Sequence, residues 1–128
     1  MTRAIADTSV FIARESGRRL RIDALPDQLA VSVVTVGELR AGVLSASDSA
    51  TRVRRLGTFT EVLGLAPLPI DESVAESWAH LRVLLRDASL TMGVNDSWIA
   101  ATALAHQLPV VTQDGDYIEL EELRVIRV

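Results

Sequence analysis

Asn95-Asp96-Ser97-Trp98-Ile99-Ala100-Ala101-Thr102-Ala103, followed closely by Pro109-Val110-Val111-Thr112-Gln113-Asp114-Gly115-Asp116-Tyr117, decides the fold. The first stretch predicts an Ala-rich helix over 95–107, apolar on several faces and therefore buried. The second predicts a strand over 109–112, apolar without alternation, that ends in an acidic turn. A strand apolar on both sides belongs inside a parallel sheet covered by helices. An acid opening the buried helix and two acids closing the buried strand then lie at the same edge of that sheet.

The same alternation runs through the rest of the chain. Residues 3–6 read as a short apolar strand running into Asp7, and 8–16 as a helix that stops near Gly17. Residues 29–34, Leu-Ala-Val-Ser-Val-Val, have the β-branched content of a second strand. From Thr35 the spacing turns helical through Leu39, Val43 and Leu44, and a further helix fits 48–63. Pro67 and Pro69 bracket a predicted strand over Leu65–Ile70. Asp71 caps the clearest helix, whose apolar stripe is Val74, Trp78, Leu81, Leu85 and Ala88. Residues 117–123 read as a short helix or turn, and Val125–Val128 as a last strand. Strands alternating with helices imply an α/β fold, a three-layer α/β/α arrangement with a central parallel sheet, formed by residues 1–128 as a single domain. In such sheets, sites form outside the carboxyl ends of the strands.

With 128 residues, 48% of them hydrophobic and 23% charged, the chain suits a packed globule with its own core. No apolar run reaches the ~18 residues of a membrane span, and Asp7 comes too early for a signal-peptide core. The expectation is a soluble cytoplasmic protein without a membrane partner. The absence of cysteine excludes disulfides, thiolate-bound zinc and thiol nucleophiles. All 13 basic residues are arginine, which excludes lysine Schiff bases, P-loops and lysine general bases. A net charge of −4 argues against a simple basic nucleic-acid binder, though not against an enzyme that gathers its acids around a metal. Oxygen ligands favour Mg²⁺ or Mn²⁺. Arg14, Arg18, Arg19 and Arg21, then Arg52, Arg54 and Arg55, form clusters that suit phosphates as well as they suit a solvated helix face.

Each acid has an ordinary alternative. Asp7 can cap the next helix, and Glu38 has capping-box spacing from Thr35. Asp96 can be an N-cap, and Asp114 and Asp116 can belong to an Asp-Gly turn. Their conjunction favours a site: all of them point to one sheet edge. Crowded carboxylates raise one another's pKa, a cost that a divalent cation removes. A cation so held activates water and stabilises phosphoryl charge, and phosphodiester hydrolysis is the matching reaction class. His80 and His106 lack a nucleophile nearby and read as structural. Trp78 and Trp98 read as core, with Trp98 near enough to Asp96 to shape the cleft wall.

Ala6-Asp7-Thr8-Ser9, Gly37-Glu38-Leu39-Arg40-Ala41-Gly42, Asn95 to Ala103 and Val111 to Tyr117, in this order, resemble the PIN-domain family, and within it the VapC-type toxins of bacterial toxin–antitoxin modules. The resemblance covers nearly the whole chain. It implies a PIN-like fold and an endoribonuclease dependent on Mg²⁺, with Mn²⁺ able to substitute. It also implies an acidic quartet of Asp7, Glu38, Asp96 and Asp114. Asp116 is a fifth candidate ligand, and Asp7 and Asp96 would lie closest to the metal. Thr112, and Thr8 or Ser9, would support the site by hydrogen bonding, while Asn95 would orient the Asp96 loop. The implied reaction is attack by metal-activated water on RNA, leaving a 5′-phosphate and a 3′-hydroxyl. The implied assembly is a homodimer inhibited by a cognate VapB-type antitoxin. Tyr117 stands where Phe is more usual, a change expected to be chemically silent.

Three rivals fit less well. A receiver-like phosphoacceptor domain needs a lysine beside its acids, and the chain has none. A haloacid-dehalogenase-like phosphatase needs Asp-x-Asp after the first strand, but position 9 is Ser9. A non-catalytic PIN-like module for binding RNA or protein would lack an acid, and none of the quartet is missing.

Overall fold

Ala4, Ile5 and Ala6 are fully buried in the first strand, β1 (Arg3–Ala6), of the computed structural model, which describes residues 1–128. The chain continues through α1 (Thr8–Glu15), a 3₁₀ turn at Ile22–Ala24, β2 (Gln28–Ala30), α2 (Val33–Leu44) and α3 (Ser49–Leu63). It closes with α4 (Glu72–Asp87), α5 (Val94–Ala105), β3 (Val110–Thr112) and β4 (Val125–Arg127). The four strands lie in the order β2-β1-β3-β4, and every neighbouring pair is parallel.

Alternation along the central strands divides the core into two layers. Ala4, Ala6 and Val111 pack with Val10, Phe11, Leu39 and Val62, beneath α1, α2 and α3. Ile5 and Val110 pack with Leu81, Leu85, Ala100 and Ala103, beneath α4 and α5. The fold is therefore the expected three-layer α/β/α sandwich. From β1 the chain goes to one side to form β2, then crosses to the other side to form β3. The carboxyl ends of β1 and β3 thus flank the point where strand order reverses, the place where parallel sheets open a crevice.

Three local expectations are corrected. Residues 65–70 form no strand: Pro67 and Pro69 cannot donate to a ladder, and Ala66 turns to φ 53°, leaving only one bridge between Ser32 and Leu68. The second strand stops at Ala30, because Ser32 caps α2 by accepting from the Val34 N–H at 3.0 Å. Residues 117–123 hold the expected turn, at 121–122, closed by a single bridge between Leu120 and Leu123. Ala88 ends α4 in an exposed position and does not continue its buried stripe. The Asp71 cap is realised through a 2.9 Å bond from the Val74 N–H. No helix is long and apolar enough to cross a membrane.

Candidate active site

Register between β1 and β3 places the first acid. Ile5 pairs with Val110 and Ala6 with Val111, and the Asp7 N–H continues the ladder to the Val111 carbonyl at 2.8 Å. Asp7 occupies the N-cap position of α1, but its side chain makes no capping bond. Its Oδ2 instead accepts from the Ser9 hydroxyl at 2.8 Å and from the Thr112 hydroxyl at 3.0 Å. Those hydroxyls are themselves oriented, Ser9 by the Gln113 N–H and Thr112 by the Asp114 N–H, each at 3.0 Å. Hydrogen bonds to a charged group are worth about 1.5–3 kcal/mol each, enough to hold one rotamer of a 5%-exposed carboxylate. Oδ1 is left without a partner.

Glu38 is held by a second relay. The Thr8 hydroxyl donates to Glu38 Oε1 at 2.7 Å, so the 2.9 Å contact between Thr8 and Thr35 must run from the Thr35 hydroxyl to Thr8. Thr35 is fully buried and shared by no capping box. The expected Thr35–Glu38 box is replaced by the Ser32 cap, because the helix starts two residues earlier than its hydrophobic spacing suggests. Thr35 therefore backs Glu38 through Thr8 and does not take the capping role that its spacing predicts.

Asp96 is the third residue of α5, whose N-cap is Gly93, so it is not the cap itself. Its carboxyl is half-buried and pushed up to about 6, first by burial and then by the charges of Asp7, Glu38 and Asp114. The charges of Asp7, Glu38 and Asp114 are thus all within electrostatic reach of Asp96. Asp114 is exposed, with Oδ1 accepting the Asp116 N–H at 2.9 Å in a local turn. Asp116 is also exposed and is not among the charges acting on Asp96. Asn95 lies in the first turn of α5 and not in a loop, and its side-chain amide makes no hydrogen bond that could orient Asp96. Ser97 plays the more visible local part: it accepts the Trp78 indole N–H at 3.0 Å and donates to the Val94 carbonyl. Trp98 stacks on Trp78 with centroids 4.4 Å apart and joins α4 to α5; it does not wall the Asp96 hollow.

Two open hollows meet at Glu38. One, about 330 Å³, is lined by Glu38, Gly93, Val94, Asn95 and Asp96. The other, about 300 Å³, runs from Glu38 past Gly42 to Arg54 and Arg55. Arg52 and Arg55 bond the Ala46 and Gly42 carbonyls near the end of α2, and Arg14 pairs with Glu61, so these arginines have structural partners. Arg54 is exposed at the hollow. His80 and His106 are both exposed and line neither hollow.

The donor set is hard oxygen throughout, which suits Mg²⁺ or Mn²⁺. No three acids close around one point as a ready cage. A cation here would keep several waters and take only one or two carboxylates directly. Tyr117 packs with Ile5, Ala100, Ala103 and Val110, 5% exposed, its hydroxyl without any hydrogen-bond partner. Burial holds that hydroxyl far above the usual tyrosine range, and the charges of Asp7, Asp96 and Asp114 add to the effect.

The fold and this acidic crevice define a PIN domain: the PIN family model matches residues 4–123, and the chain belongs to that family. Among its relatives, Ribonuclease VapC4 of Mycobacterium tuberculosis is 50% identical over 131 aligned positions, covering 98% of this chain and 97% of its own length. Ribonuclease VapC5 of the same organism is 45% identical, covering 97% of this chain and 94% of its own. The crystal structure of VapBC-5, a member of the VapBC family of toxin–antitoxin systems from M. tuberculosis, matches with a TM-score of 0.90 and 40% identity over the full length of both chains.

Proposed function

We propose that this chain is an endoribonuclease dependent on Mg²⁺, or on Mn²⁺ in its place, and the toxin of a toxin–antitoxin pair. The observation that carries the reading is topological: Asp7 directly follows β1, Asp114 follows β3, Glu38 lies in α2, the helix after β2, and Asp96 lies in the first turn of α5, the helix that leads into β3, around the switch point of the sheet. Two ribonucleases that resemble the chain over nearly its whole length support it. Asp7 and Asp96 would hold the cation most directly, with Glu38, Asp114 and Asp116 around it. When bound, the cation would supply charge neutralisation and an activated water for attack on phosphorus.

The chain's own residues do the positioning. Ser9 and Thr112 fix Asp7 with one oxygen free, while Thr35 and Thr8 fix Glu38. Asp96 holds a proton below about pH 6, so cation and proton compete for it. Arg54, across the hollow from Glu38, offers a cation to an RNA phosphate. Water adds to phosphorus, the bond to the 3′ oxygen breaks, and a 5′-phosphate and 3′-hydroxyl result. The acidic cleft would accept a basic segment of a cognate VapB-type antitoxin, and the working unit would be a homodimer in the cytoplasm.

The test is end-mapping of cellular RNA after brief expression of wild type and Asp96→Asn. Wild type should produce discrete new 5′-phosphate ends that the variant lacks. Equal cutting by the variant would remove Asp96, and the proposed site with it.

A further inference from the structure

A third hollow, about 260 Å³, opens between α4 and the connection from α4 to α5. Trp78, Arg82, Arg86, Leu90, Thr91 and Val94 are among its walls. Val94 also lines the acidic hollow of Glu38 and Asp96, so the two hollows share a wall. No acid lines the third hollow, although the chain carries a net charge of −4. The Arg82 guanidinium has no carboxylate partner and lies over the Trp78 ring, 4.9 Å from its centroid. Arg86 pairs only with its exposed neighbour Asp87, a surface contact worth little. Trp78 itself is fixed, by its stack on Trp98 and by its bond to Ser97. Leu90 and Val94 are left 39% and 68% exposed. A held aromatic ring, a bare apolar wall and two planar sets of donors thus stand beside the acids.

We propose that this hollow is a nucleobase subsite: it takes a base of the RNA strand beside the phosphate cut at the acids, and Arg82 reads that base. The inference rests on the ribonuclease reading above. Single-stranded RNA is recognised by stacking its bases on aromatic rings or guanidinium planes and by hydrogen bonds to their edges. An arginine fork suits a base edge with two acceptors, which guanine offers at O6 and N7. Leu90 and Val94 supply apolar surface for the face of the base. A strand crossing Val94 passes from a hollow of acids, where a cation would hold one phosphate, to a hollow of opposite charge, where Arg82 and Arg86 offset the next.

The experiment is cleavage of a random-sequence single-stranded RNA pool with Mg²⁺ by wild type, Arg82→Ala, Arg82→Lys and Asp96→Asn. Cut ends are sequenced, and Mn²⁺ affinity and the thermal midpoint of each protein are measured. Wild type should favour guanine by about tenfold at one fixed position beside the cut. Arg82→Ala should cut guanine sites about tenfold less well and so lose that preference, with wild-type Mn²⁺ affinity. Arg82→Lys keeps the charge over Trp78 without the fork, so it should lose the preference at a wild-type midpoint, and it decides the matter where Arg82→Ala folds poorly. A purely structural Arg82 would move the midpoint and leave the preference. Preference kept by both variants would overturn the inference and leave the hollow to a protein partner. Preference kept by Arg82→Lys alone would overturn the reading of the base, by showing a contact of charge only. Wild-type cutting without a guanine preference beside the cut would also overturn it, and all three results leave the ribonuclease reading standing. No cutting by wild type, or equal cutting by Asp96→Asn, would bring down that reading and this inference together.

Discussion

Asp96→Asn should make the metal-free protein more stable at neutral pH while abolishing RNA cleavage. In the unfolded chain this carboxyl ionises near the ordinary value of 3.8, and in the folded protein near 6. Between those values the folded state keeps a proton that the unfolded state has lost. Wild-type stability therefore falls as pH rises from about 4 to about 6 and then levels off. The full shift corresponds to about 3 kcal/mol. Because the carboxyl is half-open to water, screening reduces this to about 1–2 kcal/mol. Asparagine keeps the shape without the charge, so Asp96→Asn should gain about that amount above pH 6 and nothing near pH 4. At about 3–5 °C per kcal/mol for a domain of this size, the midpoint should rise by about 3–10 °C at pH 7.5. The assay is thermal unfolding of both proteins in EDTA across pH 4–8. A variant no more stable than wild type at pH 7.5, or one equally stabilised at pH 4, would refute the burial of Asp96 and its coupling to Asp7, Glu38 and Asp114 as the cause of its raised pKa.

Further predictions follow from the same site. Mg²⁺ at about a hundred times its dissociation constant should stabilise wild type by about 2.7 kcal/mol and Asp96→Asn far less, measured as metal-dependent midpoints. Mn²⁺ affinity of wild type should weaken about tenfold per pH unit below about pH 6, as protons take Asp96, and a flat calorimetric profile would contradict this. Thr112→Val removes a donor to Asp7 and the acceptor of the Asp114 N–H, and should cost about 2–3 kcal/mol in urea unfolding as well as slowing cleavage. Arg54→Ala should weaken RNA binding and lower its salt slope by about one while leaving Mn²⁺ affinity unchanged; an unchanged slope would place Arg54 off the RNA path.

The elements that make the fold were legible because hydrophobic period and β-branching report burial directly, as in Val110 and Val111 or in the stripe of α4. What misled were signals set by single backbone bonds. Ser89 and Gln107, the residues just after the C-caps of α4 and α5, both turn to positive φ without the glycine that follows the C-cap of α1 at Gly17. Leu65–Ile70 has strand composition, but its prolines deny it a ladder. The site shows the same division. That acids would gather at one sheet edge followed from topology, which needs only the order of strands and helices. Which hydroxyl would orient which carboxylate did not, because it depends on pairs far apart in the chain, Thr112 with Asp7 and Thr8 with Glu38. Thr35 shows why: its spacing to Glu38 mimics a capping box, yet the Ser32 cap shifts the helix start and frees Thr35 to reach across to Thr8. Tyr117 is the converse case: its aromatic ring fits the core pattern so well that sequence alone does not reveal that its buried hydroxyl is left without a partner.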